Sequence, residues 1–190
     1  QVFKYPKAGE ANSEISLHIY NMKTKETDEV KVDKAYKDFY IPRIEWTNNP
    51  DVLSAQYMNR HQNELDLWMI NAKTNISNLV LAERDKAYVD VTDNLTFLKD
   101  HSFIWTSEKD GYNHIYHYDK KGDLINQVTK GNWEVTNYYG YDEKDDTIFY
   151  QSVENGSINR DVYSIKLNGR NKKRLTKSEG TNNASFSADF

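Results

Sequence analysis

The segment HIYHY, residues 114–118, has three counterparts in the same chain: HIYNM at 18–22, DLWMI at 66–70 and DVYSI at 161–165. Their starts lie 48, 48 and 47 residues apart. Each column keeps its character. The first position is polar (His18, Asp66, His114, Asp161), the second aliphatic (Ile19, Leu67, Ile115, Val162) and the third aromatic (Tyr20, Trp68, Tyr116, Tyr163). Three columns held at so steady a period mark an internal repeat, and a period of about 40–50 residues is that of a propeller blade.

Other segments fall into the same frame. VLSAQY (52–57), SFIWTS (102–107) and TIFYQS (147–152) precede the three later copies and carry the β-branched and aromatic residues that suit strands. The turn clusters TNNPD, LKDH and DEKDD stand before them. A further strand precedes each turn, in YIPRIEW, DNLTF, TNYYGY and finally NASFS, and NLVLAE, NQVTK and KRLTK follow the copies. The unit is therefore four short strands joined by hairpins.

One such sheet cannot bury both faces alone, so neighbours must stack. The predicted fold class is all-β, a partial β-propeller with about three complete four-stranded antiparallel blades. They are placed at 40–83, 88–130 and 134–177, with a half blade at 15–33 and the start of another at 182–190, all in one domain. A closed ring takes at least about four blades, so the chain reads as a fragment of a ring, excised in mid-pattern. An all-β sandwich is the other candidate, but it would not require the period.

Composition agrees. The 190 residues are 37% hydrophobic and 13% aromatic, with twenty asparagines and 28% charged residues. Mean hydropathy is −0.90. Disordered chains carry few aromatics, and this is not one. Sheets that bury an aromatic face and wet the other would have this make-up. Net charge is −4 with the signs mixed, which argues against a phosphate-neutralising surface and nucleic acid as a partner. The absence of cysteine removes zinc-ribbon, thiol-nucleophile and disulfide-framework readings together. No apolar run approaches the roughly 18 residues of a helical membrane span.

The five histidines are His18, His61, His101, His114 and His117. His114 and His117, three apart beside acids, suggest a metal site or an acid–base pair. On a strand, however, they project to opposite faces and cannot readily ligate one metal. His18 and His114 share a column with Asp66 and Asp161, and a position that accepts both types reads as a structural hydrogen-bonding site. No G-x-S-x-G elbow and no glycine-rich phosphate loop occur. The carboxylates of DEKDD read as a solvated turn. Sequons at Asn75, Asn94, Asn155 and Asn183 are weak signals in so asparagine-rich a chain. The aromatic column suggests packing between blades more than a stacking platform for a ligand. The loops MNRHQNE, SEKDGYN and VENGSINR vary where the strands hold their pattern, and such loops are where a repeat fold meets partners or substrates.

YPKAGEANSEISLHIYN resembles the Y-P-K-A-G-x-x-N-x-x-V segment of the N-terminal propeller of the dipeptidyl peptidase IV family. YIPRIEWT, MNRHQNELDLW, FIWTSEKDGYNHIYHYD and VTKGNWEV continue the resemblance in order, across essentially all of the chain. The resemblance implies a serine exopeptidase of the prolyl oligopeptidase clan, which removes N-terminal dipeptides with proline or alanine second. In such enzymes an eight-bladed propeller caps a C-terminal α/β-hydrolase domain that carries Ser, Asp and His. The propeller restricts access and holds the substrate's amino terminus with carboxylates, an arrangement that measures peptide length from a charged end.

The departures define this chain's part. The family's double-glutamate motif lies upstream of Y-P-K-A-G, its substrate-contacting arginine comes from an earlier blade, and its triad belongs to the hydrolase domain. None has a counterpart here, so the resemblance implies no catalytic residue, metal or cofactor in this stretch. Tyr88 and Val89 align with an outer substrate-subsite wall, although the family's F-R pair is absent there. Gln1–Ala8 aligns with the tail of an extended dimerisation arm.

The expected partners are peptide substrates met through the full-length enzyme and the α/β-hydrolase domain of the same chain. Composition resembles a bacterial, Bacteroidetes-type member, with a periplasmic or cell-envelope location. Open blade faces are expected to make the isolated chain self-associate. The alternative function is a stand-alone interaction propeller with no enzyme attached.

Overall fold

The computed structural model describes residues 8–187 and Phe190. Apart from Ala8, the Gln1–Ala8 segment lies outside the described residues. The chain divides into two compact units, Gln1–Asp90 and Val91–Phe190, each with its own sheets.

In the first unit, β1 (His18–Tyr20) and β2 (Thr27–Glu29) pair as a two-stranded antiparallel sheet. β3 (Phe39–Trp46), β4 (Val52–Asn59), β5 (Glu64–Asn71) and β6 (Ser77–Arg84) form a four-stranded antiparallel sheet in chain order. The second unit holds two such sheets. One is β7 (Thr96–Phe97), β8 (Phe103–Ser107), β9 (His114–Tyr118) and β10 (Leu124–Gln127); the other is β11 (Val135–Asp142), β12 (Thr147–Ser152), β13 (Asp161–Lys166) and β14 (Lys173–Arg174). The fold is all-β, and no helix occurs among the described residues.

Local chemistry sets the strand ends. Asn59 Oδ1 accepts the backbone N–H groups of Asn63 and Glu64 at 3.0 and 3.1 Å, closing the β4–β5 hairpin. Asp119 Oδ1 does the same for Lys121 and Asp123 between β9 and β10. β3 slips register between Tyr40 and Arg43, where Pro42 has no N–H to give the ladder. DNLTF yields a strand of only two residues. Above it, side chains replace the backbone ladder: Thr92 and Asn94 both bond Thr106 Oγ1, at 2.9 and 3.1 Å.

The expectation of one wet face per sheet fails for the middle strands. β8 and β9 are buried at every residue, and β4 at all but its ends. Solvent reaches the outer strands instead, such as β10 with Leu124 and Ile125 about half exposed. A middle strand flanked by partners and covered on both faces has no wet side to alternate toward.

In the first unit, Trp68 and Ile70 of β5 face Val30, Leu17 and Ile19 across a core shared with the two-stranded sheet. In the second, Tyr150, Tyr163, Ile148 and Ile165 of one sheet pack on Ile104, Ile115 and Leu98 of the other. Burying each such side chain contributes about 1.5–3 kcal/mol. The aromatic column thus packs between sheets at Trp68 and Tyr163. Tyr20, on the two-stranded sheet, is 57% exposed.

The stretch expected to open a further blade, 182–190, forms no strand among its described residues. It lies across the β11–β12 face instead. Gln151 Nε2 donates to Asn182 O at 2.6 Å and to Asn183 Oδ1 at 2.9 Å. Phe186 packs on Phe149 with ring centroids 4.7 Å apart, and Phe190 stacks on the same ring at 5.4 Å. Gly140, at φ 138°, makes room: a Cβ there would meet the Phe190 ring at 2.5 Å. Side-chain packing takes the place of a ladder.

Candidate functional site

In each four-stranded sheet, the loop between its second and third strands meets the chain leaving its fourth strand at one rim. Val89 N–H donates to Gln62 O at 2.8 Å, Val135 N–H to Asn113 O at 2.8 Å, and Arg160 N–H to Gly180 O at 3.0 Å. The loops singled out by their variability are these rim loops.

The His/Asp column fastens the rim. Asp161, fully buried, accepts from Arg174 Nη2 at 2.8 Å, Thr176 Oγ1 at 2.9 Å and Asn182 Nδ2 at 3.3 Å. Burial works against its charge, but the Thr176, Arg174 and Asn155 donors outweigh it and hold its carboxyl below the usual range. His114, also fully buried, meets Thr129 Oγ1 at 3.1 Å and Gly131 O at 3.0 Å. A carbonyl only accepts, so Nε2 carries the proton and Nδ1 accepts from the threonine. The same two threonines bond the next backbone N–H, of Ile115 at 2.9 Å and Val162 at 3.1 Å.

Asp66 has no threonine. Lys34 Nζ at 2.6 Å, Tyr36 OH at 2.5 Å and the Arg84 guanidinium take its place. Burial opposes its charge too, and these donors lower its pKa in spite of it. The column binds the chain entering or leaving each sheet to the third strand. His18 alone is exposed, beside Ser16 Oγ at 2.9 Å.

His114 and His117 point apart as the strand period requires. His117 Nε2 lies 2.9 Å from Ser102 Oγ, which in turn lies 2.5 Å from Asp100 Oδ1. The set has the residue types of a hydrolytic triad but the wrong order. The serine's single proton goes to Asp100, so the hydroxyl accepts from His117 and is not activated as a nucleophile. Ser102 is also buried at 3% exposure. The set ties β9 to the β7–β8 turn. Burial pushes the His117 pKa down, against the opposing pull of Asp100, Asn126 and Asp146. Among the described residues no three His, Asp or Glu side chains group to hold a metal ion.

A second rim cluster escaped sequence reasoning. Trp133 stacks on Tyr150 with centroids 6.4 Å apart and planes 10° off parallel, and Tyr150 stacks on Tyr163 at 5.5 Å and 19°. The Lys172 ammonium caps the row, 5.4 Å from the Trp133 centroid and 6.0 Å from that of Tyr163, while paired with Glu154. Gly131 permits it, since a Cβ there would meet Trp133 Nε1 at 2.3 Å. The signal lay in GNWEV, where a glycine stands two residues before a tryptophan.

Tyr88 and Val89 sit where the chain leaves β6. Asp85 Oδ1 accepts the backbone N–H of Ala87 at 2.7 Å and of Tyr88 at 3.3 Å, turning the chain back to the His61–Asn63 loop. These donors hold the Asp85 carboxyl below its usual range. The Tyr88 ring is 51% exposed, with its hydroxyl on Asp90. Arg60, on the same rim, meets the Tyr40 hydroxyl and lies 3.7 Å from Asp38. The site offers aromatic and charged surface without a nucleophile paired to a base.

Across residues 1–190 the chain matches the family described as "Dipeptidyl peptidase IV (DPP IV) N-terminal region". The chain belongs to this family. Dipeptidyl peptidase 4 of Porphyromonas gingivalis shares 43% sequence identity, with a TM-score of 0.89 over 98% of this chain and 26% of that one. A putative dipeptidyl aminopeptidase IV from Bacteroides ovatus, at 24% identity and a TM-score of 0.75 over 90% of this chain and 27% of that one, shares the fold. A probable dipeptidyl-aminopeptidase B of Pyrenophora teres f. teres is 28% identical over 97% of this chain. The chain spans 22% of that relative's length. The sheets described above are therefore blades of a DPP IV-family propeller: three four-stranded ones and a two-stranded part of another.

Proposed function

We propose that this chain is the substrate-gating and substrate-binding propeller portion of a serine dipeptidyl peptidase that removes N-terminal X-Pro and X-Ala dipeptides. The chain itself performs no chemistry. An α/β-hydrolase domain of the same protein supplies the triad, and the protein works in the periplasm or cell envelope. The observation that supports this most is the 43% identity to a dipeptidyl peptidase 4 across nearly the whole chain.

Tyr88 and Val89 contribute a wall to an outer subsite, and Val89 gives that wall an apolar patch in place of an arginine. The isolated chain also self-associates through its open blade faces; Tyr20 of the two-stranded sheet and Met22 in the turn after it are 57% and 83% exposed.

The test is hydrolysis of a Gly-Pro chromogenic substrate. The 190-residue chain should show none, and the full-length protein should show it. A full-length protein inactive on every X-Pro and X-Ala substrate would refute the peptidase reading. Tyr88→Ala in the active protein should raise KM for dipeptide substrates with a large side chain on the amino-terminal residue and leave kcat nearly unchanged.

A further inference from the structure

Asn155 and Gly156 stand side by side in the exposed β12–β13 loop, immediately beside a buried carboxylate. Asn155 Nδ2 donates to Asp161 Oδ2 at 3.3 Å, and Asp161 is fully buried. Asparagine is a thermolabile residue, and glycine after it leaves the backbone nitrogen unshielded by any side chain. Gly156 has the room to move that reaction needs. A Cβ placed on it would touch only the flexible Asn159 side chain, at 3.6 Å.

We propose that Asn155 is a spontaneous deamidation site whose conversion loosens the Asp161 clamp. The Gly156 backbone nitrogen attacks Asn155 Cγ. A new N–Cγ bond forms, the Cγ–Nδ2 bond breaks, and the nitrogen's proton leaves with the amide as ammonia. Water then opens the resulting succinimide at either C–N bond, giving aspartate or isoaspartate. No oxidant or cofactor is needed. The Gly156 N–H donates to Val153 O at 3.0 Å, so that turn must open first.

The consequence follows from charge. A donor amide beside a buried carboxylate becomes a second carboxylate, and like charges at that separation, one of them fully buried, repel. The repulsion falls on the residue that holds Arg174, Thr176 and Asn182, and so on the chain leaving the sheet.

The same dipeptide at Asn168–Gly169 is an internal control. Gly169 donates to Lys166 O at a shorter 2.7 Å, and a Cβ there would already crowd Val128 O at 3.2 Å. That turn is held more tightly.

The experiment incubates the folded 190-residue chain at mildly alkaline pH and physiological temperature, with peptide mass mapping over time. Asn155 should gain the mass of amide-to-acid conversion several-fold faster than Asn168, with isoaspartate among its products. Equal rates at the two sites, or no conversion at Asn155, would overturn the proposal. Asn155→Asp should lower Tm at neutral pH and regain most of the loss where carboxylates protonate, whereas Asn168→Asp should not. A neutral Asn155→Asp variant would overturn the coupling to Asp161.

Discussion

Asp161 Oδ1 lies 2.8 Å from Arg174 Nη2, a charge pair whose carboxylate is fully buried and whose cation keeps 34% of its side chain in solvent. The arginine pairs from the fourth strand to the third, so the contact ties the end of a blade to its middle. Removing the acid strands a partly desolvated guanidinium and three other donors. Asp161→Ala should therefore destabilise the second unit by about 3 kcal/mol in urea titrations. Thr176→Val, which removes one bond to the carboxylate and one to Val162 N–H, should cost about 1 kcal/mol. A loss below experimental error for Asp161→Ala would show that the clamp is ornamental.

The pH dependence divides into two windows. His117 has a folded pKa depressed by burial, so the unfolded ring, at about 6.5, takes its proton first as pH falls. Stability from the neutral ring is complete above that value and declines as pH falls toward the folded pKa. Asp66 and Asp161 are also depressed, and their contribution is lost only below about pH 4. Thermal melts of His117→Gln should therefore show a flatter profile between neutrality and pH 5 than the native chain, with the steeper acid limb kept.

Trp133 caps a row of rings, and its indole covers Gly131. Trp133→Ala should cost about 3 kcal/mol by opening that row. Lys172→Met keeps most of the apolar contact and forfeits both the cation over the rings and the pair with Glu154, a loss of about 1–2 kcal/mol. A double-mutant cycle between the two isolates the cation–ring part.

Phe186, together with Phe190, covers Phe149 on the β11–β12 sheet face. Phe186→Ser should uncover an apolar face and shift sedimentation toward larger species than the native chain forms. Unchanged sedimentation would mean that the face is not adhesive.

The repeat was legible because columns of one character recur wherever a strand recurs, and Ile115, Tyr116, Val162 and Tyr163 do the same work in each sheet. Thr129 and Thr176 were visible as a column too, in VTK and LTK, but their partners lie 15 residues away across a hairpin. Only the register reveals that pairing. Asp66 breaks the pattern, drawing Lys34 and Tyr36 from 32 and 30 residues upstream, and no periodicity encodes such a substitution. NASFS misled for a related reason. Its alternation suits a strand, but a strand also needs a neighbour's backbone, and here Phe186 finds an aromatic face first. Tyr88 and Val89 stand in a segment without a repeat column, where alignment to relatives carries the argument and patterning is mute.

The clamps also determine how force would travel through the chain. Each one staples the exit of a blade, and at Asp66 the chain entering it as well, to that blade's own third strand, so a pull on the exit loads the buried carboxylate or imidazole in shear before it peels the outer strand. Extension in an optical trap should therefore proceed in discrete rips about one blade long. The Thr129 and Thr176 staples would set the height of successive force peaks, and each blade would behave as its own mechanical fuse.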